Sequence, residues 1–169
     1  MNTICLIGMM GCGKTSVGNA LAKILGYPCV DIDCEIEKAE NKTINEIFAT
    51  KGEQYFRELE KSTVKKVFKK GNTVISLGGG AFENEETQDF LLKNACVIYL
   101  ETTSVELFNR LKNDTSRPLL KNNMTIEHIE NIINKRLKNY KKAHYLIKTD
   151  NKTPQEIAQE ILSEVKWKN

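Results

Sequence analysis

The residues with the clearest chemical meaning lie near the start of the chain. Residues 8–15 read Gly-Met-Met-Gly-Cys-Gly-Lys-Thr and match the pattern G-x-x-x-x-G-K-[ST]. In such a loop the glycines let backbone N–H groups surround phosphate oxygens, the lysine reaches the β- and γ-phosphates, and the threonine hydroxyl binds Mg²⁺. An apolar run precedes the loop and an amphipathic helical pattern follows it, so a chance glycine-rich turn is disfavoured. The predicted nucleotide contacts are Gly11, Cys12, Gly13, Lys14, Thr15 and Ser16.

A phosphate loop of this type occurs in kinases, in ATPases and in GTP-binding switches. The switches usually carry an N-K-x-D motif that reads guanine late in the chain. Residues 151–154 read Asn-Lys-Thr-Pro, which begins like that motif but lacks the aspartate. We therefore favour an ATP-dependent enzyme over a GTP-binding switch.

Two aspartates, Asp31 and Asp33, lie at the end of the second predicted strand, which closes with Val30-Asp31-Ile32-Asp33. In an extended strand, residues two apart point to the same side, so we expect both carboxylates to face one site. One could hold Mg²⁺ through water, and the other could accept the proton of an acceptor hydroxyl. Phosphoryl transfer needs a well-placed base more than a strong one. A turn or a helix cap at Asp33 is the alternative, because a helical pattern begins at Glu35.

Arginine is rare among the 25 basic residues of this chain. Only the arginine side chain offers a planar fork that binds carboxylate or phosphate in a bidentate manner. A chain that otherwise uses lysine therefore indicates specific work for its arginines, although any single one could be an ordinary surface residue. The four are Arg57, Arg110, Arg117 and Arg136.

Two of these arginines have informative surroundings. Glu60 follows Arg57 by three residues on a predicted helix, and that spacing could aim the guanidinium. Arg117 lies in a polar segment, residues 113–123, between two predicted helices. We expect this segment to act as a lid that brings a cation onto the transferring phosphate and excludes water.

A second glycine-rich segment, Ser76-Leu77-Gly78-Gly79-Gly80, follows the third apolar run. Three glycines leave a backbone that a ligand can approach closely. A plain tight turn is the alternative interpretation.

Short apolar runs alternate with helical patterns along the whole chain, which indicates an α/β fold with a mostly parallel sheet covered on both faces. Caps are predicted at Thr43 with Glu46, at Ser104, at Thr125 for a helix reaching about Lys141, and at Thr153 with Pro154 and Glu156. The predicted strands are residues 4–7, 29–32, 73–77, 95–100 and 145–147.

Composition limits the classes of function. With 169 residues we expect one compact domain. The net charge of +3 comes from interspersed charges, which argues against a nucleic-acid partner. The five cysteines form no C-x-x-C pair, and no apolar run reaches the length of a membrane span. We therefore expect a cytoplasmic protein without a secretory signal and without a membrane partner. A monomer is a separate expectation, which composition does not supply.

Together these motifs resemble the shikimate kinase family from Gly8 to the loop around Pro154. The resemblance implies a three-layer P-loop fold similar to nucleoside monophosphate kinases, with a five-stranded parallel sheet flanked by helices. It also implies transfer of phosphate from MgATP to the 3-hydroxyl of shikimate, in aromatic amino-acid biosynthesis. The resemblance places a lid at about residues 112–124 and a substrate-binding helical region at about residues 33–61.

The same resemblance implies a role for each candidate residue. Asp33 would bind shikimate hydroxyls and act as the base, with Lys14 and Arg117 as its catalytic partners at the phosphates. Asp31, through water, and Thr15 would hold Mg²⁺, with Ser76 as a further candidate. Arg110, Arg117 and Pro154 would contact ATP. The implied contacts to the shikimate carboxylate are Arg57 (steadied by Glu60), Arg136, Gly79 and Gly80.

The sequence departs from the family pattern at two places. Residues 136–140 read Arg-Leu-Lys-Asn-Tyr where the family often has R-x-P-L-Y, and His144 replaces a common acidic residue. We expect His144 to be structural or solvent-facing. Two other functions stay open. One is a kinase for another small polyol or acid, such as gluconate, and the other is a nucleotide-binding regulator without activity, which would be expected to have lost Lys14, Asp33 or Arg117.

Overall fold

The computed structural model describes residues 3–112 and 125–165. In this part of the chain five strands form one parallel sheet in the order β2-β3-β1-β4-β5. The central strand Ile4–Ile7 is apolar and buried along its whole length, and its neighbour Cys96–Glu101 is buried up to Leu100, as expected for a parallel sheet with both faces covered. The strands are β1 (Ile4–Ile7), β2 (Cys29–Asp31), β3 (Val74–Ser76), β4 (Cys96–Glu101) and β5 (Tyr145–Lys148).

Helices alternate with the strands and cover the sheet, which confirms the predicted α/β fold. A short 3₁₀ helix, Ala81–Glu83, follows β3. Among the described residues no helix is both long and apolar enough to cross a membrane. The α-helices are α1 (Lys14–Leu25), α2 (Ile32–Glu40), α3 (Ile44–Phe68), α4 (Glu85–Asn94), α5 (Ser104–Leu111), α6 (Ile126–Tyr140) and α7 (Pro154–Glu164).

Most of the predicted caps are confirmed. Complete capping boxes start α3 at Thr43 and α7 at Thr153, and the Thr125 side chain caps α6. The cap of α5 was predicted one residue too late, because Thr103 and not Ser104 accepts the hydrogen bond from the backbone N–H of Glu106. Side-chain oxygens at these positions replace the carbonyl partners that the first turn of a helix lacks.

The parallel sheet brings three chain segments to one edge. The phosphate loop follows β1, α2 follows β2, and the glycine turn (residues 77–80) follows β3. Because β2, β3 and β1 are neighbours in the sheet, the three segments lie side by side at its carboxyl edge. Ligands of such sheets bind at this edge.

Candidate functional site

A cleft of about 720 Å³ opens at the carboxyl edge of the sheet. Its walls come from the phosphate loop, the first turns of α1 and α2, and the glycine turn. The cleft thus gathers segments that are far apart in sequence. The predicted site residues that line it are Gly11, Gly13, Lys14, Thr15, Ser16, Asp31, Asp33, Ser76, Gly79 and Arg110.

The lysine of the phosphate loop binds the backbone of its own loop. The Lys14 Nζ donates hydrogen bonds to the carbonyl oxygens of Gly8 (2.9 Å) and Met9 (2.8 Å). Gly13 precedes α1 with φ of 98° and provides no side-chain cap. The first N–H groups of α1 therefore have no side-chain acceptor, and an anion at this helix terminus would satisfy them. Cys12 is buried under the loop.

Three oxygen-bearing side chains meet at the start of α1. The Thr15 hydroxyl donates to Asp31 Oδ2 at 2.7 Å and lies 3.5 Å from the Ser76 hydroxyl. These oxygens come from α1, β2 and β3, and Asp31 and Ser76 are opposite each other in the register of β2 and β3. Hydroxyl and carboxylate oxygens are the ligands that Mg²⁺ prefers, usually with several waters and substrate phosphates.

The two aspartates do not share a strand, which corrects the sequence prediction. β2 ends at Asp31, and Asp33 lies in the first turn of α2. Asp31 Oδ1 accepts from the backbone N–H groups of Asp33 (3.1 Å) and Cys34 (3.3 Å), so Asp31 is the helix cap. Both carboxylates still line the cleft.

The glycine turn brings Asp33 and Glu60 together. A Cβ atom built on Gly78 would lie 2.7 Å from Asp33 Oδ1 and 2.8 Å from Glu60 Oε1. A Cβ atom on Gly80 would lie 2.9 Å from two guanidinium nitrogens of Arg57. The absence of side chains at these positions is therefore what lets α2 and α3 present charged groups to the turn.

Arg57 is aimed by two carboxylates. Its Nη1 donates to Glu60 Oε2 at 2.8 Å, as the spacing predicted, and its Nη2 donates to Glu53 at 3.1 Å. Glu60 is 3% exposed, and this burial raises its pKa to about 7, although the Arg57 charge opposes the rise. The negative charge of Asp33 raises the pKa further.

α6 contributes Arg136 to the other side of the same turn. The Arg136 Nη1 donates to the Gly79 carbonyl oxygen at 2.9 Å, and the Tyr140 hydroxyl donates to the same oxygen at 2.7 Å. Tyr140 is fully buried and stacks on Tyr99. Arg136 is thus fixed by a backbone group beside the cleft.

The departure from the family pattern does not interrupt α6. The helix runs through Lys138 and Asn139, with Lys138 exposed and the Asn139 amide donating to Glu83 at 3.1 Å. His144 is structural as predicted, because its Nδ1 accepts from the backbone N–H of Val97 at 3.0 Å.

Arg110 connects the phosphate loop to the loop after β5. Its Nη1 donates to the carbonyl oxygen of Cys12 at 3.3 Å, and its Nη2 donates to that of Thr149 at 3.5 Å. Pro154 is the first residue of α7, a few residues beyond Thr149. This arrangement agrees with an adenine position between the two loops, which stays a prediction. Arg117 and lid residues 113–124 lie outside the described residues.

The sequence matches the family model for shikimate kinase over residues 10–166. A shikimate kinase of Persephonella marina is 43% identical, covering 98% of this chain and 100% of the relative. The structure of a shikimate kinase from Acinetobacter baumannii in complex with shikimate is similar with a TM-score of 0.92 and 34% identity, covering 96% of this chain and 92% of that one. The chain belongs to the shikimate kinase family.

A more distant likeness shows only the fold. A gluconokinase from Sinorhizobium meliloti has a TM-score of 0.57 and 16% identity, covering 96% of this chain and 90% of its own. At this identity the likeness carries no information on substrate. The two proteins share the architecture of P-loop kinases. Membership of the shikimate kinase family is what weighs against the gluconate alternative.

Sequence reasoning gave no role to Tyr140 or Glu83. Tyr140 reaches the glycine turn, and Glu83 reaches α6, only through tertiary contacts. The position of Tyr140, four residues after Arg136, was a possible signal, because residues four apart share a helix face.

The raised pKa of Glu60 predicts a dependence of stability on pH. The folded protein holds a proton on Glu60 between about pH 4.5 and 7, where the unfolded chain releases it. Stability from this group is therefore present at lower pH and is lost as pH rises through 7. We expect wild type to lose on the order of 1–3 kcal/mol relative to Glu60→Gln between pH 5 and 8, measured by urea unfolding. The exposed Glu164→Gln should run parallel to wild type. Parallel curves for Glu60→Gln and wild type would contradict the assignment.

Proposed function

We propose that this chain transfers the γ-phosphate of ATP to the 3-hydroxyl of shikimate, giving shikimate 3-phosphate and ADP in aromatic amino-acid biosynthesis. The observation that carries the proposal is the glycine turn. There a carboxylate from α2 and arginines from α3 and α6 converge beside a phosphate loop. This set suits an acceptor with both hydroxyl groups and a carboxylate.

On the acceptor side, Asp33 binds the reacting hydroxyl and accepts its proton. Its place at the start of α2 supports this role, since it lines the cleft beside the phosphate loop. Arg57 and Arg136 grip the acceptor carboxylate, and Glu60 holds Arg57 in place. The backbone N–H groups of Gly79 and Gly80 donate further hydrogen bonds to this carboxylate. These groups form the proposed substrate region, residues 33–61, together with the glycine turn and α6.

On the nucleotide side, Lys14 exchanges its loop carbonyl partners for the β- and γ-phosphates. Gly11, Gly13 and Ser16 surround the phosphates, with Cys12 forming the base of the loop. Arg110 and Pro154 flank the adenine, and Arg117 in the lid, residues 112–124, neutralises charge on the transferring group.

Mg²⁺ is the cofactor that we propose for this site. The Thr15 hydroxyl and Asp31 carboxylate, with the Ser76 hydroxyl beside them, form an all-oxygen set of the kind that fits Mg²⁺. Among the described residues no cluster of three or more acidic, histidine or cysteine side chains could hold a metal alone. Thr15 and Asp31 would thus hold the ion jointly with ATP, with Asp31 acting through water. When bound, Mg²⁺ neutralises charge on the phosphate oxygens.

A monomer in the cytoplasm is our proposal for the state of the protein. Its five cysteines are all unpaired, and three are buried, which suits a reducing compartment. Size-exclusion chromatography with light scattering tests the monomer directly.

The test of function is ADP release in a coupled assay with MgATP. Shikimate is the acceptor, and gluconate and no acceptor are the controls. We expect release that depends on shikimate. Release only with another acceptor would contradict the substrate assignment but keep the kinase. Protein that binds ATP but turns over no acceptor would favour the regulatory alternative.

The proposed base predicts a clear result for Asp33→Asn. The amide keeps the shape of the side chain but accepts a proton poorly, so turnover should fall by on the order of 10² or more. ATP affinity, measured by titration calorimetry, should stay near that of wild type. The matched control is Asp89→Asn, which removes an exposed carboxylate from α4. Near-normal turnover by Asp33→Asn would remove Asp33 from this role.

A further inference from the structure

One face of α6 contacts the segment that begins with the glycine turn. Arg136, Asn139 and Tyr140 are spaced by three and four residues, so they lie on the same side of the helix. Arg136 and Tyr140 both donate to the Gly79 carbonyl oxygen. Asn139 stands between them along the helix and contacts a different residue, Glu83.

The Glu83–Asn139 contact joins α6 to the glycine turn. The Asn139 Nδ2 donates to Glu83 Oε2 at 3.1 Å. Glu83 ends the 3₁₀ helix, and its own backbone N–H donates to the Gly80 carbonyl at 3.1 Å. A displacement of Glu83 would therefore move the backbone of the turn, and a displacement of Asn139 would move the Arg136 face of α6.

The burial of the other carboxylate oxygen of Glu83 is energetically unfavourable. Oε1 is buried, and of the buried side-chain nitrogen and oxygen atoms in the described residues it is the one that lacks a hydrogen-bond partner. An unpaired buried oxygen costs free energy that an apolar pair at the same place would not cost. Sites that break such local rules are often the functional ones. This cost argues that the polar contact serves something other than stability.

We propose that Glu83 and Asn139 are positioning residues for the acceptor carboxylate. Their hydrogen bond fixes the separation of α6 and the glycine turn, and so fixes Arg136 relative to the N–H groups of Gly79 and Gly80. Neither residue touches the acceptor. The inference rests on the proposed function, in which Arg136 and the turn bind the carboxylate of shikimate.

The proposal predicts that substitutions of these two residues change the affinity for the acceptor but not the affinity for ATP. Glu83 and Asn139 bond to each other, Glu83 also bonds to the glycine turn, and within the described part of the chain neither forms a hydrogen bond with the phosphate loop. Loosening them leaves Arg136 and the turn to be ordered when the acceptor binds, which weakens binding. Acceptor affinity should therefore fall while ATP affinity stays unchanged. A purely structural contact would lower thermal stability without this difference.

The test uses substitutions that keep the size of the side chains. Asn139→Asp places a second carboxylate against Glu83, and Glu83→Gln added to it restores one donor and one acceptor in reversed order. Asn139→Leu breaks the bond without adding charge. The matched control is Asn94→Leu, which removes a side-chain bond at the exposed end of α4. Shikimate dissociation constants come from titration calorimetry, and KM values for both substrates come from the coupled assay.

We expect Asn139→Leu to weaken shikimate binding roughly three- to tenfold, the range of one hydrogen bond. Asn139→Asp should weaken it at least as much, and the double variant should recover most of the loss. The KM for ATP should not change in any of them, and Asn94→Leu should behave as wild type.

Three results would overturn the inference. These are unchanged shikimate binding in Asn139→Leu, equal losses for ATP and shikimate, and a double variant as weak as Asn139→Asp. Wild type that does not turn over shikimate would instead contradict the proposed function itself, and with it the inference. Thermal unfolding of every variant confirms that the folded protein is compared.

Discussion

The site depends on the space left by glycines after β3. At Gly78 and Gly80 a single added carbon would overlap carboxylate and guanidinium groups from α2 and α3. Charged side chains from separate helices can converge there because the turn consists of backbone alone. The same backbone offers the carbonyl oxygen that fixes Arg136 and Tyr140. A turn of ordinary residues in this place would displace the Asp33, Glu60 and Arg57 side chains.

Helix caps determine how the chain passes from the sheet into the helices that bear the site residues. Asp31 ends β2, caps α2 and accepts a hydrogen bond from the Thr15 hydroxyl, so one carboxylate links the proposed Mg²⁺ position to the helix that bears Asp33. The Thr43 capping box starts α3, whose second half, beyond a break at Gly52, delivers Arg57. Hydrogen bonds of modest individual strength thus determine where the proposed base and the carboxylate grip stand.

Much of this could be predicted from the sequence, because several signals are local. The phosphate loop is contiguous, the strands are continuous apolar runs, and the capping boxes need only four residues. The sequence pattern placed Asp33 at the end of a strand, because the apolar alternation continues to Ile32. In the structure β2 already ends at Asp31, which caps the following helix. The burial of Glu60 and the contact between Glu83 and Asn139 could not be predicted, since they depend on how helices far apart in sequence pack on one turn.

The most direct test of this account is the acceptor kinetics of Gly78→Ala. One methyl group there would displace Asp33 and Glu60 while leaving the phosphate loop in place. Misplacement of about 1 Å can cost on the order of 10² in rate, so we expect kcat/KM for shikimate to fall by about that factor, with ATP affinity unchanged. Wild-type kinetics with shikimate in Gly78→Ala would contradict the claim that a turn without side chains is what allows the site to form.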